Sequence, residues 1–188
     1  MVVAEIQKKL AGLGDPRVAS VSRRFFKTGP GEYGEGDLFR GIRVPVLRRL
    51  SREYGGIAPR EAERLLASTF HEDRLLALLI LVRLYNAGDA SAKDEIYRLY
   101  LGNARLINNW DLVDSSAEHI VGAFLWDKSR GPLHRLAKSG DLWERRIAVM
   151  ATFHFIKRGE FAETLVIARK TSVRQRGLDS QGGRVDVA

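Results

Sequence analysis

The chain has 188 residues, enough for one domain, or one compact array of repeats, with a sizeable core. It contains no cysteine, which excludes disulfides, thiolate nucleophiles and any zinc site that depends on sulfur. With 45% apolar and 29% charged residues and a formal charge of +8, the balance is that of a soluble globular protein whose expected partner is a polyanion, because Lys and Arg gain affinity by releasing counterions from phosphates.

Helical periodicity runs through almost the whole chain, and no stretch alternates as a strand does. The pattern predicts helices over 3–13, 16–27, 45–54, 59–68, 71–87, 92–101, 110–125, 132–138, 142–157 and 161–170. The first of these mixes Glu5, Lys8 and Lys9 into its apolar residues and so lacks the continuous apolar core of a signal peptide. The longest apolar run, 75–82, is too short to span a bilayer, and a cytoplasmic location is expected. Pro16, Pro45, Pro59 and Pro132 suit first helical turns, where a missing N–H costs nothing, and Asp15 and Asp141 suit N-caps. Gly14, Gly55, Gly88, Gly140 and Gly159 fall where helices should stop, in the left-handed conformation that glycine takes without strain. The glycine-rich segment 29–36 follows a helix and lacks the Lys-Ser or Lys-Thr of a phosphate loop. It reads as a flexible loop, with ordering against a neighbouring helix or a nucleic acid left open.

Three helices open alike: His71-Glu72-Asp73-Arg74-Leu75, Trp110-Asp111-Leu112-Val113-Asp114 and Trp143-Glu144-Arg145-Arg146-Ile147, at intervals of roughly 35 residues. That is the length of a two-helix repeat, and such pairs stack into a curved solenoid with one long concave face. The register places Asp114 where its sisters carry Leu75 and Ile147, inside a stripe formed by Trp110, Val113, Ala117, Ile120, Val121 and Phe124. A carboxylate on such a face is costly unless something partners it. A structural cap or an arginine partner would account for it, and so would a catalytic role. Arg74 and Arg146 both lie in first turns, where a cation opposes the helix dipole. A phosphate gripped from outside explains that placement, as does an internal pair with Glu72, Asp111 or Asp114. Trp110 and Trp143 recur at one helical position and would line the concave face, whereas Trp126 reads as structural. His71, His119, His134 and His154 show no metal-ligand spacing and read as surface or packing residues. Ser115 and Ser116 lack the base and oxyanion hole that a serine nucleophile needs.

The segments Asn108-Asn109-Trp110-Asp111-Leu112-Val113-Asp114 and Leu142-Trp143-Glu144-Arg145-Arg146-Ile147-Ala148 resemble the signatures of the AlkD-type DNA alkylation repair family. The likeness extends from Gly41-Ile42-Arg43-Val44-Pro45, through His71-Glu72-Asp73-Arg74-Leu75-Leu76-Ala77, to Ala151-Thr152-Phe153-His154-Phe155-Ile156. It implies an all-α superhelix of HEAT-like repeats and a monofunctional glycosylase that excises cationic purines, of the 7-methylguanine and 3-methyladenine type, from duplex DNA. It implies no cofactor and no metal, and a monomer is expected. Carried over residue by residue, the catalytic aspartate matches Asp114, the cleft tryptophan Trp110 and the backbone-binding arginine Arg146, with Arg145 beside it as the other choice. Trp143, Arg74 and Arg43 complete the expected DNA-binding set. Two rival readings stand beside this one: a DNA-binding solenoid without catalysis, and a HEAT-type scaffold for proteins.

The expected organisation is a repeat domain over 1–170 and a polar tail over 171–188, read as flexible or as a truncated or shifted end. Family members are expected to continue with more amphipathic helix and another cleft tryptophan, so the flank made by Phe161, Leu165 and Ile167 is expected to be exposed.

Overall fold

The computed structural model describes the backbone of residues 2–181 and the side chains of residues 2–172. It is all-helical, with helices packed into a stack and no strand among the described residues. The elements are α1 (Val2–Leu13), α2 (Pro16–Phe25), α3 (Val44–Glu53), α4 (Pro59–Leu66), α5 (His71–Ala87), α6 (Ala90–Gly102), α7 (Trp110–Asp114), α8 (Gly131–Ala137), α9 (Leu142–Ala151), α10 (Phe153–Ile156) and α11 (Ala162–Gln181). No helix among the described residues is long and apolar enough to cross a membrane.

The local signals explain most boundaries. Asp15 accepts hydrogen bonds from the N–H groups of Arg17 (2.8 Å) and Val18 (3.4 Å), and Asp141 does the same for Trp143 (2.6 Å) and Glu144 (3.1 Å). Pro16, Pro45, Pro59 and Pro132 all sit in first turns. The glycine stops behave differently from the expectation. Of the five, only Gly159 takes a positive φ (80°); the other helices end through backbone contacts of the last turn, as where the Gly88 N–H meets the Leu84 carbonyl at 2.9 Å.

α5 is the axis of the amino-terminal half. Every residue of it from His71 to Leu81 is buried, and α3, α4, α6 and α7 all pack against it. Leu47 and Leu50 of α3 and Ala62, Leu65 and Leu66 of α4 turn their helical stripes onto it. At about 1.5–3 kcal/mol per fully buried large apolar side chain, these residues supply the main driving force of this half. In the carboxyl-terminal half α7 packs on α9, α9 on α8, and α11 on both α8 and α9. The three helices that open alike, α5, α7 and α9, are thus successive neighbours in the stack.

Two expected helices are broken. The stretch predicted as one helix over 110–125 is α7, a turn at Ser115 and Ser116, and a π turn at Glu118–Gly122. Ser116 is fully buried, and its hydroxyl bonds back to the carbonyl of Leu112 at 2.6 Å and meets the Tyr100 hydroxyl at 2.9 Å. Such back-bonding competes with the helical ladder, and the widened turn that follows absorbs the mismatch. Gly122 then lies against α9, where a Cβ would fall 2.1 Å from the carbonyl oxygen of Ala151. The helix expected over 142–157 divides at Thr152, whose hydroxyl donates to the Val149 carbonyl at 2.7 Å.

The boundary expected at residue 170 falls inside α11, whose helical backbone continues to Gln181. Residues 182–188 of the expected tail lie outside the described residues. On the flank of α11, Phe161 and Leu165 are exposed as expected, but Ile167 is not. It is fully buried, because it faces the α8 and α9 side of its helix.

Candidate nucleic-acid interface and catalytic cleft

The first turn of α5 carries four polar or charged residues, His71, Glu72, Asp73 and Arg74, and all four are buried. Burial of this kind is tolerated only with partners, and each has them. Glu72 accepts from the backbone N–H groups of Arg40 (2.9 Å), Gly41 (2.7 Å) and Ile42 (3.2 Å). Asp73 accepts from the Arg40 guanidinium at 2.6 and 2.9 Å and from the Ser68 hydroxyl at 2.8 Å. His71 lies between two carboxylates, Nδ1 at 3.0 Å from Asp37 and Nε2 at 2.8 Å from Asp111. A carboxylate at each ring nitrogen calls for a donor on both, which is the imidazolium. Burial pushes the His71 pKa down, but the bonds to Asp111 and Asp37 outweigh it and leave the pKa raised. Burial also pushes Asp37 up, and His71 and Arg74 together hold it below its ordinary value.

This hub anchors the start of α7. Asp111 receives His71 on one oxygen and the Leu112 N–H on the other at 2.9 Å. Asn109, fully buried, accepts from the Trp110 N–H at 2.8 Å and donates to Asp37 at 3.3 Å. Trp110 and Asp114 are thereby placed one helical turn apart on an element fixed at its first residues.

Asp114 faces α9. Its Oδ1 accepts from Arg146 Nε and its Oδ2 from Arg146 Nη2, each at 2.8 Å, a two-pronged pair whose side chains are 29% and 39% exposed. The bond from Asp114, more than burial opposes it, raises the Arg146 pKa and keeps the guanidinium charged. The carboxylate is thus neither sealed in the core nor loose in solvent. Trp110 is half-buried beside it, stacked on Phe26 (centroids 5.6 Å apart, planes at 20°) with Phe25 edge-on at 6.0 Å. Trp143 is half-buried against the core, with Tyr33 edge-on at 5.9 Å.

The other expected contacts separate. Arg74 is 6% exposed and donates to Asp37 at 2.6 Å and to Asn108 at 2.9 Å. The expectation that it grips an outside phosphate is corrected: the acid it meets is internal, and it has almost no surface left to offer. Arg145 donates to the carbonyls of Ser139 (3.0 Å) and Gly140 (2.9 Å), so of the two neighbouring arginines it is Arg146 that meets Asp114. Both still line a hollow of about 210 Å³ with Leu142, Val149, Met150 and Thr171. Arg43 is exposed at the start of α3, on the rim of a mostly apolar cavity of about 320 Å³ that reaches Phe26, His71 and Asp111. Among the described residues no three His, Cys, Asp or Glu side chains cluster as metal ligands would.

The glycine-rich segment is a loop, as its composition predicts, and hydrogen bonds of its own hold it. Glu32 and Glu35 accept from the N–H groups of Gly29 (2.8 Å) and Gly31 (2.9 Å), and the Gly34 N–H donates to the Lys27 carbonyl at 3.1 Å. Sequence reasoning also missed His71 and Phe26 as parts of the site. One signal was present for the first, since His71 occupies the repeat position held elsewhere by Trp110 and Trp143.

The profile of the DNA alkylation repair enzyme family matches residues 6–176, nearly the whole described chain. The chain belongs to that family. The match covers α1 from Ile6 onward, every element from α2 to α10 and most of α11, and it extends six residues past Lys170, where the likeness carried by the motifs ends. No curated protein and no solved structure matches the chain. In this DNA alkylation repair family member the half-open Asp114 carboxylate and Trp110 lie on one helix, and Arg146 and Trp143 on the helix packed against it.

Proposed function

We propose that this protein is a monofunctional DNA glycosylase that grips duplex DNA and hydrolyses the N-glycosidic bond of cationic alkylated purines, acting as a monomer in the cytoplasm. The observation that carries the reading is the Asp114 carboxylate, partly exposed, held by two bonds from Arg146 and placed one turn from Trp110. An alkylated purine already bears positive charge, so when the C1′–N bond breaks the electron pair leaves with the base, which departs neutral without a general acid. The barrier that remains is the oxocarbenium-like charge on the deoxyribose. A fixed carboxylate close to that sugar stabilises the developing cation and accepts a hydrogen bond from the water that adds at C1′. Trp110 excludes bulk solvent and offers a π face that attracts cations and polarised C–H groups. Arg146 fixes the direction of the carboxylate and, with Arg43 and the excess of basic side chains, draws in the phosphate backbone.

The test is release of free 7-methylguanine from methylated duplex DNA under single-turnover conditions, comparing the protein with Asp114→Asn. The substitution keeps the shape and removes the charge, so the rate is expected to fall by about 10²–10³, the cost of losing one preorganised electrostatic group. Equal release from both proteins would remove Asp114 from the mechanism. Salt-sensitive binding with no release from either would leave a DNA-binding module in place of an enzyme.

A further inference from the structure

The segment 25–39 holds four aromatic rings, and they meet the starts of all three helices that open alike. Phe39 and Phe26 pack on His71 of α5 at 4.7 and 4.8 Å, Phe26 and Phe25 on Trp110 of α7, and Tyr33 on Trp143 of α9. The segment is therefore an arch that passes from one tryptophan to the other, with the Asp114–Arg146 pair joining the same two helices one turn further in. It is built to hold that course. Gly34 comes so close to the start of the arch that a Cβ there would lie 2.4 Å from the Phe26 carbonyl oxygen, and Asp37 pins the far end to His71, Arg74 and Asn109. Two of the arch's three acids, Glu32 and Glu35, are turned onto its own N–H groups.

At the crown stands Tyr33, 38% exposed, and among the described residues its hydroxyl has no hydrogen-bond partner. The arginines at the starts of α5 and α9 are largely committed: Arg146 to Asp114, Arg145 to two carbonyls, Arg74 to Asp37 and Asn108. On the reading that DNA enters between Trp110 and Trp143, a strand that reaches Asp114 passes Trp143, and its phosphate, next to a carboxylate, needs a donor. A further cation there would compete with Arg146 for Asp114 and disturb the setting of the carboxylate. A phenol donates a hydrogen bond to phosphate without doing so.

We propose that Tyr33 is a DNA contact: its hydroxyl binds a backbone phosphate of the strand that enters the cleft, while its ring and that of Trp143 form the wall against which the sugar rests. This rests on the reading that duplex DNA enters between Trp110 and Trp143. The experiment uses the full chain, its Tyr33→Phe and Tyr33→Ala variants, and two duplexes, one undamaged and one with a single 7-methylguanine. Binding is measured at about 50 and about 200 mM salt and base release in single turnover. Tyr33→Phe is expected to bind both duplexes roughly tenfold more weakly, the size of one hydrogen bond to a charged group. The fold-loss should be equal at both salts, since no charge is removed, and the melting temperature should not change. Tyr33→Ala should lose more, because the wall goes too. Tyr33→Phe binding as tightly as the parent would overturn the contact, whatever the enzyme's activity. A tenfold loss in a protein that releases no methylguanine would leave the contact standing and remove the glycosylase reading alone.

Discussion

Asp114 and Arg146 are joined by two parallel hydrogen bonds of 2.8 Å, and the residues belong to different helices, α7 and α9. A partly exposed pair of this kind contributes only about 0–1 kcal/mol to folding. Its effect is on direction, since it fixes which way the carboxylate faces. Arg146→Ala is accordingly expected to slow base release by about 10- to 100-fold, the scale on which an ångström of misplacement is felt, while shifting the melting temperature by only a few degrees. Arg146→Lys keeps the charge but cannot engage both oxygens at once, so it should also be slow. A parent-like rate in both variants would mean that the carboxylate needs no fixed setting.

The proton on His71 makes stability depend on pH. Its pKa in the folded protein is raised above the ordinary 6.5, so the stabilisation is complete below that value and is lost as pH rises through the folded pKa. His154 works in the opposite sense. Burial first, and then Arg158, push it down to about 4, so the unfolded chain takes up a proton between pH 6.5 and 4 that the folded one refuses, and stability falls as pH drops through that window. Urea midpoints measured from pH 5 to 9 should therefore fall away on both sides of neutrality. His71→Gln should lose the alkaline decline and His154→Gln the acid one. Unaltered slopes in the two variants would show that neither histidine governs the profile.

Arg74 and Arg43 should part company in a paired experiment. Removing Arg74 leaves Asp37 buried with one partner fewer, a loss of about 3–5 kcal/mol, with no change in how DNA affinity depends on salt among molecules that remain folded. Arg43 is exposed, so Arg43→Ala should leave stability within about 0.5 kcal/mol and reduce the slope of log affinity against log salt by about 0.9. Chemical denaturation and a salt titration read the two effects. An Arg74 variant that stays stable but loses salt dependence would restore that residue to the interface.

The contact of Gly122 with the carbonyl of Ala151 sets how closely the π turn lies on the end of α9. Gly122→Ala cannot be accommodated without moving backbone, and a loss of about 1–3 kcal/mol is expected, read as a lower melting temperature. Because α9 carries Arg146, base release should fall as well, and by more than in a surface substitution of equal thermodynamic cost.

How far the sequence carried these conclusions can be seen by comparing residues that share a repeat position. Asp114 was legible because periodicity defines a face, and an acid stands there where Leu75 and Ile147 are apolar. Arg74 and Arg146 were not separable in that way. They hold one register position, and only the tertiary partner distinguishes them: Asp37, brought back from 37 residues away by the arch, for one, and Asp114 for the other. Periodicity contains no information about such long-range meetings. The same limit hid His71, whose two carboxylates come from distant segments, and made Ile167 look like its exposed neighbour Leu165. The break after Asp114 turns on one buried hydroxyl, Ser116, whose inward orientation follows from Tyr100 and not from its own neighbours in sequence.

That Asp114, the acid proposed to act in catalysis, and Arg146 reside on different helices, α7 and α9, couples the proposed chemistry to mechanics. Any rotation of α9 against α7 turns the guanidinium relative to the carboxylate, so flexing of the superhelix under a bent or distorted duplex is transmitted to the reactive oxygen itself. On the glycosylase reading, the protein's own curvature thereby becomes a variable that sets how readily the bond to the damaged base is cut.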